Sequence, residues 1–236
     1  MFLFNTFKNF ILDILFPVHC LGCDLEGDWM CQSCLQNVSL QTQQTCPICR
    51  IPGTGRVCPG CRRKTALDGL FVACHYEQPV VQACIHSLKY LGVVSLALPI
   101  ATYLWHHYKT SPTQSLFDGT YAALTPVPLH PRRRRYRGFN QSALIAKEFS
   151  KLANLSVSEL LIRKRYTESQ MTLSRPERLT NVVGAFACAP GFEKIPENVI
   201  IIDDVATTLA TLHECASVLK SHGAKTVWGL VVARGS

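Results

Sequence analysis

Apolar positions follow two periods along this chain, and the two alternate. Val199, Ile200, Ile201 and Ile202 form an unbroken β-branched run, the pattern of a strand buried on both faces. Small and hydroxylated residues follow it. Helical spacing then runs over 212–222, with Gly223 as its stop signal, and a second apolar run over 226–233 predicts the next strand. Upstream, 69–76 alternates as a strand does. Over 78–90, Val80, Val81, Cys84, Ile85 and Leu88 fall at helical spacing. A second apolar helix is predicted over 93–108, a strand over 120–127 ending in Pro126-Val127-Pro128, and a helix over 139–153. The stretch 163–180 is polar. Strands alternating with helices predict an α/β fold with a mostly parallel sheet over 65–236. Residues 1–16 predict a short amphipathic helix with Phe4, Phe7, Ile11, Ile14 and Leu15 near one side, ended by Pro17.

Cysteine usage adds a module that hydropathy does not show. Residues 17–64 hold four CxxC pairs, Cys20/Cys23, Cys31/Cys34, Cys46/Cys49 and Cys58/Cys61, in a segment too poor in apolar residues for its own core. A CxxC turn presents two thiolates to one tetrahedral ion, so metal is expected to supply the folding energy. The spacing favours two structural zinc ions, each held by neighbouring pairs as in a double zinc ribbon; cross-braced pairing is the alternative. A thioredoxin-like role would place one CxxC at a helix start after a strand, not four in series. His19 reads as a bystander. Cys74, Cys84, Cys188 and Cys215 are expected as buried small hydrophobes. Thiolate metal sites fit a reducing compartment. Residues 1–16 lack a small-residue cleavage site, and the run 91–104 is too short for a bilayer, so neither a leader nor a transmembrane segment is expected.

Charge is concentrated. Residues 130–178 hold 12 Lys/Arg against 4 Asp/Glu, which accounts for the whole net charge of +8. Such a local field favours a polyanionic ligand. Arg132, Arg133, Arg134, Arg135, Arg137, Arg163, Lys164 and Arg165 could track a phosphate backbone, and Tyr136, Phe139 and Tyr166 could stack on bases. The plain alternatives are a solvated loop, or a loop that binds pyrophosphate alone. Arg62, Arg63 and Lys64 offer a second basic patch at the end of the cysteine module. At the predicted end of the 199–202 strand stand Asp203 and Asp204, followed by Ala206, Thr207, Thr208, Leu209, Ala210 and Thr211. Carboxylates there can accept hydrogen bonds from sugar hydroxyls, and amides at the helix start can hold a phosphate.

The stretch NVIIIDDVATTLAT (198–211) resembles the phosphoribosyl pyrophosphate (PRPP) motif of type I phosphoribosyltransferases. The resemblance implies that Asp203 and Asp204 grip the ribose 2′- and 3′-hydroxyls and that residues 206–211 cradle the 5′-phosphate. Leu209 replaces the usual glycine, which would avoid a side chain near phosphate and allow positive φ. LTPVPLHPRRRRYRGFNQ (124–141) resembles the pyrophosphate loop of the amidophosphoribosyltransferase-like branch. RKRYTESQMTLSRPERLTNVVGAF (163–186) resembles the mobile loop that closes over PRPP. With the CxxC array and Leu88-Lys89-Tyr90, these segments together resemble the ComF (ComFC) family of competence proteins. That implies a phosphoribosyltransferase-type sheet and the handling of imported single-stranded DNA on the cytoplasmic side. Association with the inner membrane and with a channel or helicase of the uptake machinery would fit the same role.

Two function classes follow. One is a competence factor that binds single-stranded DNA and keeps a PRPP-type pocket. The other is an active phosphoribosyltransferase acting on an unidentified acceptor, in which Asp203, Asp204, the basic loops and a magnesium ion would stabilise charge separation. Leu209 and the lack of an evident base-binding hood favour the first.

Overall fold

The computed structural model describes residues 17–111, 122–167, 174–192 and 194–235; the helix predicted over 1–16 lies outside them. The cysteine-rich segment contains a short helix α1 (Gln32–Gln36) and a 3-10 turn (Pro59–Lys64). Then come β1 (Gly69–His75), α2 (Pro79–Tyr90), a 3-10 turn (Val94–Leu96), α3 (Ala97–Lys109), β2 (Ala122–Pro126), α4 (Pro131–Arg137) and α5 (Gln141–Ala153). They are followed by β3 (Ser156–Val157), β4 (Leu161–Arg163), α6 (Arg175–Asn181), β5 (Phe186–Cys188), β6 (Asn198–Ala206), α7 (Ala210–Ser221) and β7 (Thr226–Arg234). The main sheet runs β1-β7-β6-β2-β3 with every pair parallel, while β4 and β5 form a separate antiparallel pair.

Strand alternation divides the core. Ile200, Ile202, Trp228, Leu230 and Val232 face one side, packed under Ile85 and Leu88 of α2, Leu104 of α3 and Phe149 of α5. Val199, Ile201, Val227 and Val231 face the other, against Leu212, Cys215 and Leu219 of α7. A strand buried on both faces carries no polar alternation, which is why 199–202 reads as a continuous apolar run. Gly69 opens β1 because Trp228 lies against it: a Cβ there would come 2.4 Å from the indole ring. Cys74, Cys84 and Cys215 are buried as expected, and Cys188 is half-buried.

β1 is one of the two edge strands, and the cysteine-rich segment covers that edge. Gln44, itself buried, donates to Val72 O at 2.9 Å and accepts from Val72 N at 3.0 Å. Gln41 N donates to Ala73 O at 2.8 Å, and Leu70 N to Gly55 O at 2.9 Å. The backbone groups that an open edge would leave unpaired are thus used to seat the module.

Candidate functional site

The carboxylate pair does not end its strand. β6 continues to Ala206, so Asp203 and Asp204 stand inside it and alternate: Asp204 is 2% exposed and Asp203 is half-buried. Each is held by groups from other elements. Lys89, in the last turn of α2, forms an ion pair with Asp204 Oδ2. Gln141 Nε2 donates to Asp204 Oδ1 at 3.2 Å. Ser142 Oγ donates to Asp203 Oδ1 at 2.7 Å, and the Asp204 amide donates to the same oxygen at 3.0 Å. Burial works against the Lys89 charge, but Asp204 beside it outweighs that and holds the ammonium above its usual range. Burial likewise pushes Asp204 upward, yet Lys89 and Gln141 hold it low. Burial and the neighbouring Asp204 charge raise Asp203 to about 7, against the smaller pull of Lys89 and Ser142.

The loop after β6 turns sharply into α7. Leu209 occupies the N-cap position with φ 65° and ψ 0°, the left-handed conformation that glycine would adopt freely. Its side chain is 6% exposed and belongs to the apolar cluster beneath α7. The side chain therefore lies in the core, while the backbone takes the turn that the usual glycine would allow. Left-handed backbone costs a non-glycine residue about 1–2 kcal/mol, and burying a leucine returns about 1.5–3 kcal/mol. Thr207, Thr208 and Thr211 remain half-buried around the turn. The Thr208 hydroxyl is buried without a hydrogen-bond partner among the described residues.

The arginine run is a helix, not the expected loop. Pro131 at its first position and His130 as N-cap start α4, and Gly138 in left-handed conformation ends it. Helical spacing then sorts the cations. Arg133 and Arg137 turn inward: Arg133 donates to Thr167 O at 3.1 Å, and Arg137 donates to Gln141 Oε1 and lies over the Tyr90 ring. Arg132, Arg134, Arg135 and Tyr136 face solvent, Tyr136 at 94% exposure, while Phe139 is half-buried. Tyr166 packs on the helix, with the Arg132 guanidinium 5.4 Å from its ring centre.

Three further cations differ from one another. Arg163 is 7% exposed, bonded to Thr167 and stacked over Phe186, so it lies beneath the surface that its neighbours form. Burial and the facing Arg133 bring it down to about 10. Arg165 is tied to the carbonyls of Asn181 and Val183, and Lys164 is exposed. Between α4 and β4, at the C-terminal end of β2, opens a cleft of about 350 Å³ with Pro126, Leu129 and Leu161 on its apolar side. His130, Arg134, Arg163 and Lys164, with Asn140 and the carboxylate of Glu159, give its polar wall.

The eight paired cysteines form two sets, Cys20, Cys23, Cys31, Cys34 and Cys46, Cys49, Cys58, Cys61, each with its sulfurs within 4.8 Å of one another. Sulfurs of Cys23 and Cys31, and of Cys49 and Cys58, lie 3.6 Å apart, near the roughly 3.8 Å edge of a tetrahedron with 2.3 Å metal–sulfur bonds. Both sets share one backbone pattern: the Cys31 amide donates to Cys20 Sγ and the Cys58 amide to Cys46 Sγ, each at 3.4 Å. Burial opposes ionisation of Cys20 and Cys46, but these amides and others in each turn bring both thiols down to about 6. The sets group neighbouring pairs, which disposes of cross-bracing. His19 stands outside them, within 3.0 Å of Pro17 O. Among the described residues no cluster besides these two offers three metal ligands, and the cation beside Asp204 is Lys89.

No protein-family model matches the chain. Curated relatives do. The DNA utilization protein YhgH of Escherichia coli K12 is 31% identical over 210 residues, covering 85% of this chain and 88% of that protein. The chain belongs to the ComF family. Competence protein F of Haemophilus influenzae is 25% identical over 227 residues, 92% of this chain and 96% of that protein. Competence protein ComFC of Bacillus subtilis is 26% identical over 201 residues, 82% and 79% respectively. In this ComF chain three residues that sequence reasoning did not assign contact the carboxylate pair: Lys89, Gln141 and Ser142. In the sequence Lys89 stands out only within the tripeptide Leu88-Lys89-Tyr90. Its signal was a lone lysine closing an apolar helix face, opposite no acid in its own helix.

Proposed function

We propose that this chain serves in competence by handling imported single-stranded DNA on the cytoplasmic side, with PRPP or a closely related phosphoribosyl ligand held by β6 and the 206–211 loop. The observation that carries the reading is Gln141. It accepts from Arg137 on the inner face of the arginine helix and donates to Asp204 of the carboxylate pair, so one side chain links that helix to the carboxylates. In this reading Asp203 and Asp204 accept from the ribose hydroxyls and the loop amides take the 5′-phosphate. The solvent face of α4 takes the DNA backbone, with Tyr136 stacking on a base. Two structural zinc ions complete the molecule, since all-thiolate sets of four leave no open position for chemistry. The names of the competence and DNA-utilization relatives support the role.

A second reading, ribosyl transfer to an acceptor, is favoured by the cleft of about 350 Å³ beside the site, within the size range of ligand pockets at about 300–1,000 Å³. Calorimetry with PRPP and with single-stranded DNA, separately and together, tests both. Each ligand is expected to bind, and each to weaken the other. Absence of PRPP binding in wild type removes the phosphoribosyl part of the reading. Steady pyrophosphate release in the presence of a nucleobase moves the conclusion to the enzyme.

A further inference from the structure

The second cysteine set is built into the wall of the phosphate loop. Ile48 lies inside its first CxxC turn and packs against two apolar clusters at once, that of Cys46, Val57 and Cys61 and the large cluster on the α7 side of the sheet to which Leu209 belongs. Ile48, Thr208 and Leu209 line one cavity of about 290 Å³. Polar contacts run beside this apolar one. Arg234, 5% exposed, donates to the carbonyl of Pro47 at 2.6 Å. It is the register partner of Ala206, and the next amide, Gly235 N, donates to Ala206 O at 3.0 Å. Just past the 3-10 turn of the same set, the Ala66 amide donates to Nδ1 of His213 in the first turn of α7 at 3.1 Å. The first set is seated elsewhere: Leu21, Met30 and Leu35 pack against the core on the opposite face of the sheet.

We propose that metal binding at Cys46, Cys49, Cys58 and Cys61 positions the phosphate loop, with Ile48 and Leu209 as the positioning residues that carry the coupling. A glycine loop would take its turn without help. Leu209 takes the same turn at a conformational cost and is held there by burial, so the surface that buries it becomes part of the site. That surface includes a turn whose shape depends on a bound ion. Loop order therefore follows occupancy of the second set and not of the first. The ligand consequence rests on the phosphoribosyl reading; the loop consequence does not.

Hydrogen exchange of the full chain over 206–213 tests this, with metal content measured on the same samples. Cys49→Ser is expected to lose one ion, to exchange about tenfold faster over 206–213, and to bind ribose 5-phosphate several-fold more weakly. Cys23→Ser is expected to lose one ion too, with faster exchange confined to 20–34. Ile48→Ala keeps both ions yet loosens 206–213, and Ile48→Val restores protection, a pattern that general damage to the module would not give. Equal exchange over 206–213 in the two cysteine variants, or full protection in Ile48→Ala, overturns the proposal. If wild type fails to bind ribose 5-phosphate while exchange follows the expected pattern, the phosphoribosyl reading falls and the coupling stands.

Discussion

Asp203 and Asp204 are neighbours in sequence with opposite titration behaviour, and the difference is one lysine. Lys89 neutralises Asp204, while Asp203, raised to about 7, feels both burial and the adjacent charge. The folded chain therefore holds the Asp203 proton more tightly than the unfolded chain. This contribution to stability is complete below about pH 4 and is lost as pH rises through 7. Asp203→Asn is expected to raise the Tm at pH 8, by about 2–4 °C for each kcal/mol relieved, while abolishing PRPP binding; thermal melts and calorimetry on the same variant check both. In wild type, PRPP affinity should fall below pH 7 by up to about tenfold per unit, and binding at pH 6 should release a proton. Leu209→Gly separates two terms of opposite sign. Relief of the left-handed strain, about 1–2 kcal/mol, is outweighed by lost burial of about 2–5 kcal/mol, so urea melts should show a net loss of stability.

The arginine helix shows what spacing contributes once an element is known. In a loop, five arginines between 132 and 137 would be equivalent; in α4, two face the protein and three face solvent. Replacing Arg132 and Arg135 with alanine should lower the salt slope of single-strand binding by about 1.4, at about 0.7 per phosphate contact. Tyr136→Ala should cost about 1–3 kcal/mol with little change in slope. Salt titrations of fluorescence anisotropy distinguish the two. The helix was missed because cationic side chains give no apolar period to read, although Pro131 and Gly138 stood at its two ends as start and stop signals. The same holds for β4, β5 and α6, which lie in the polar stretch or just beyond it and are too short to show a pattern. By contrast β1, β6, β7, α2 and α7 were legible to within a few residues, because each buries a full face in a large core. In the site, the carboxylates and the threonine loop were legible as a contiguous motif. Lys89 and Gln141 were not, because they reach Asp204 from sequence positions 115 and 63 residues away.

At the scale of the whole molecule, the cysteine-rich segment is both cover and foundation. It covers the β1 edge of the sheet and packs beside the 206–211 loop, so loss of metal should do more than unfold residues 20–61. Elemental analysis should give two zinc ions per chain, and a chelator strong enough to strip both should expose the β1 edge and drive aggregation, visible by light scattering. No helix among the described residues is long and apolar enough to cross a membrane. The parallel pairing of β1 with β7 also sets a timetable. Asp68, at the head of β1, meets the Val227 amide across 159 positions of chain. At about 5–20 residues per second, a ribosome needs roughly 8–30 s to deliver the partner that β1 requires. Through that interval the cysteine segment, already synthesised, can cover the outer edge of the nascent strand, while the edge that receives β7 stays open. The availability of zinc during translation thus bears on whether that outer edge waits covered or waits as an open template for another chain.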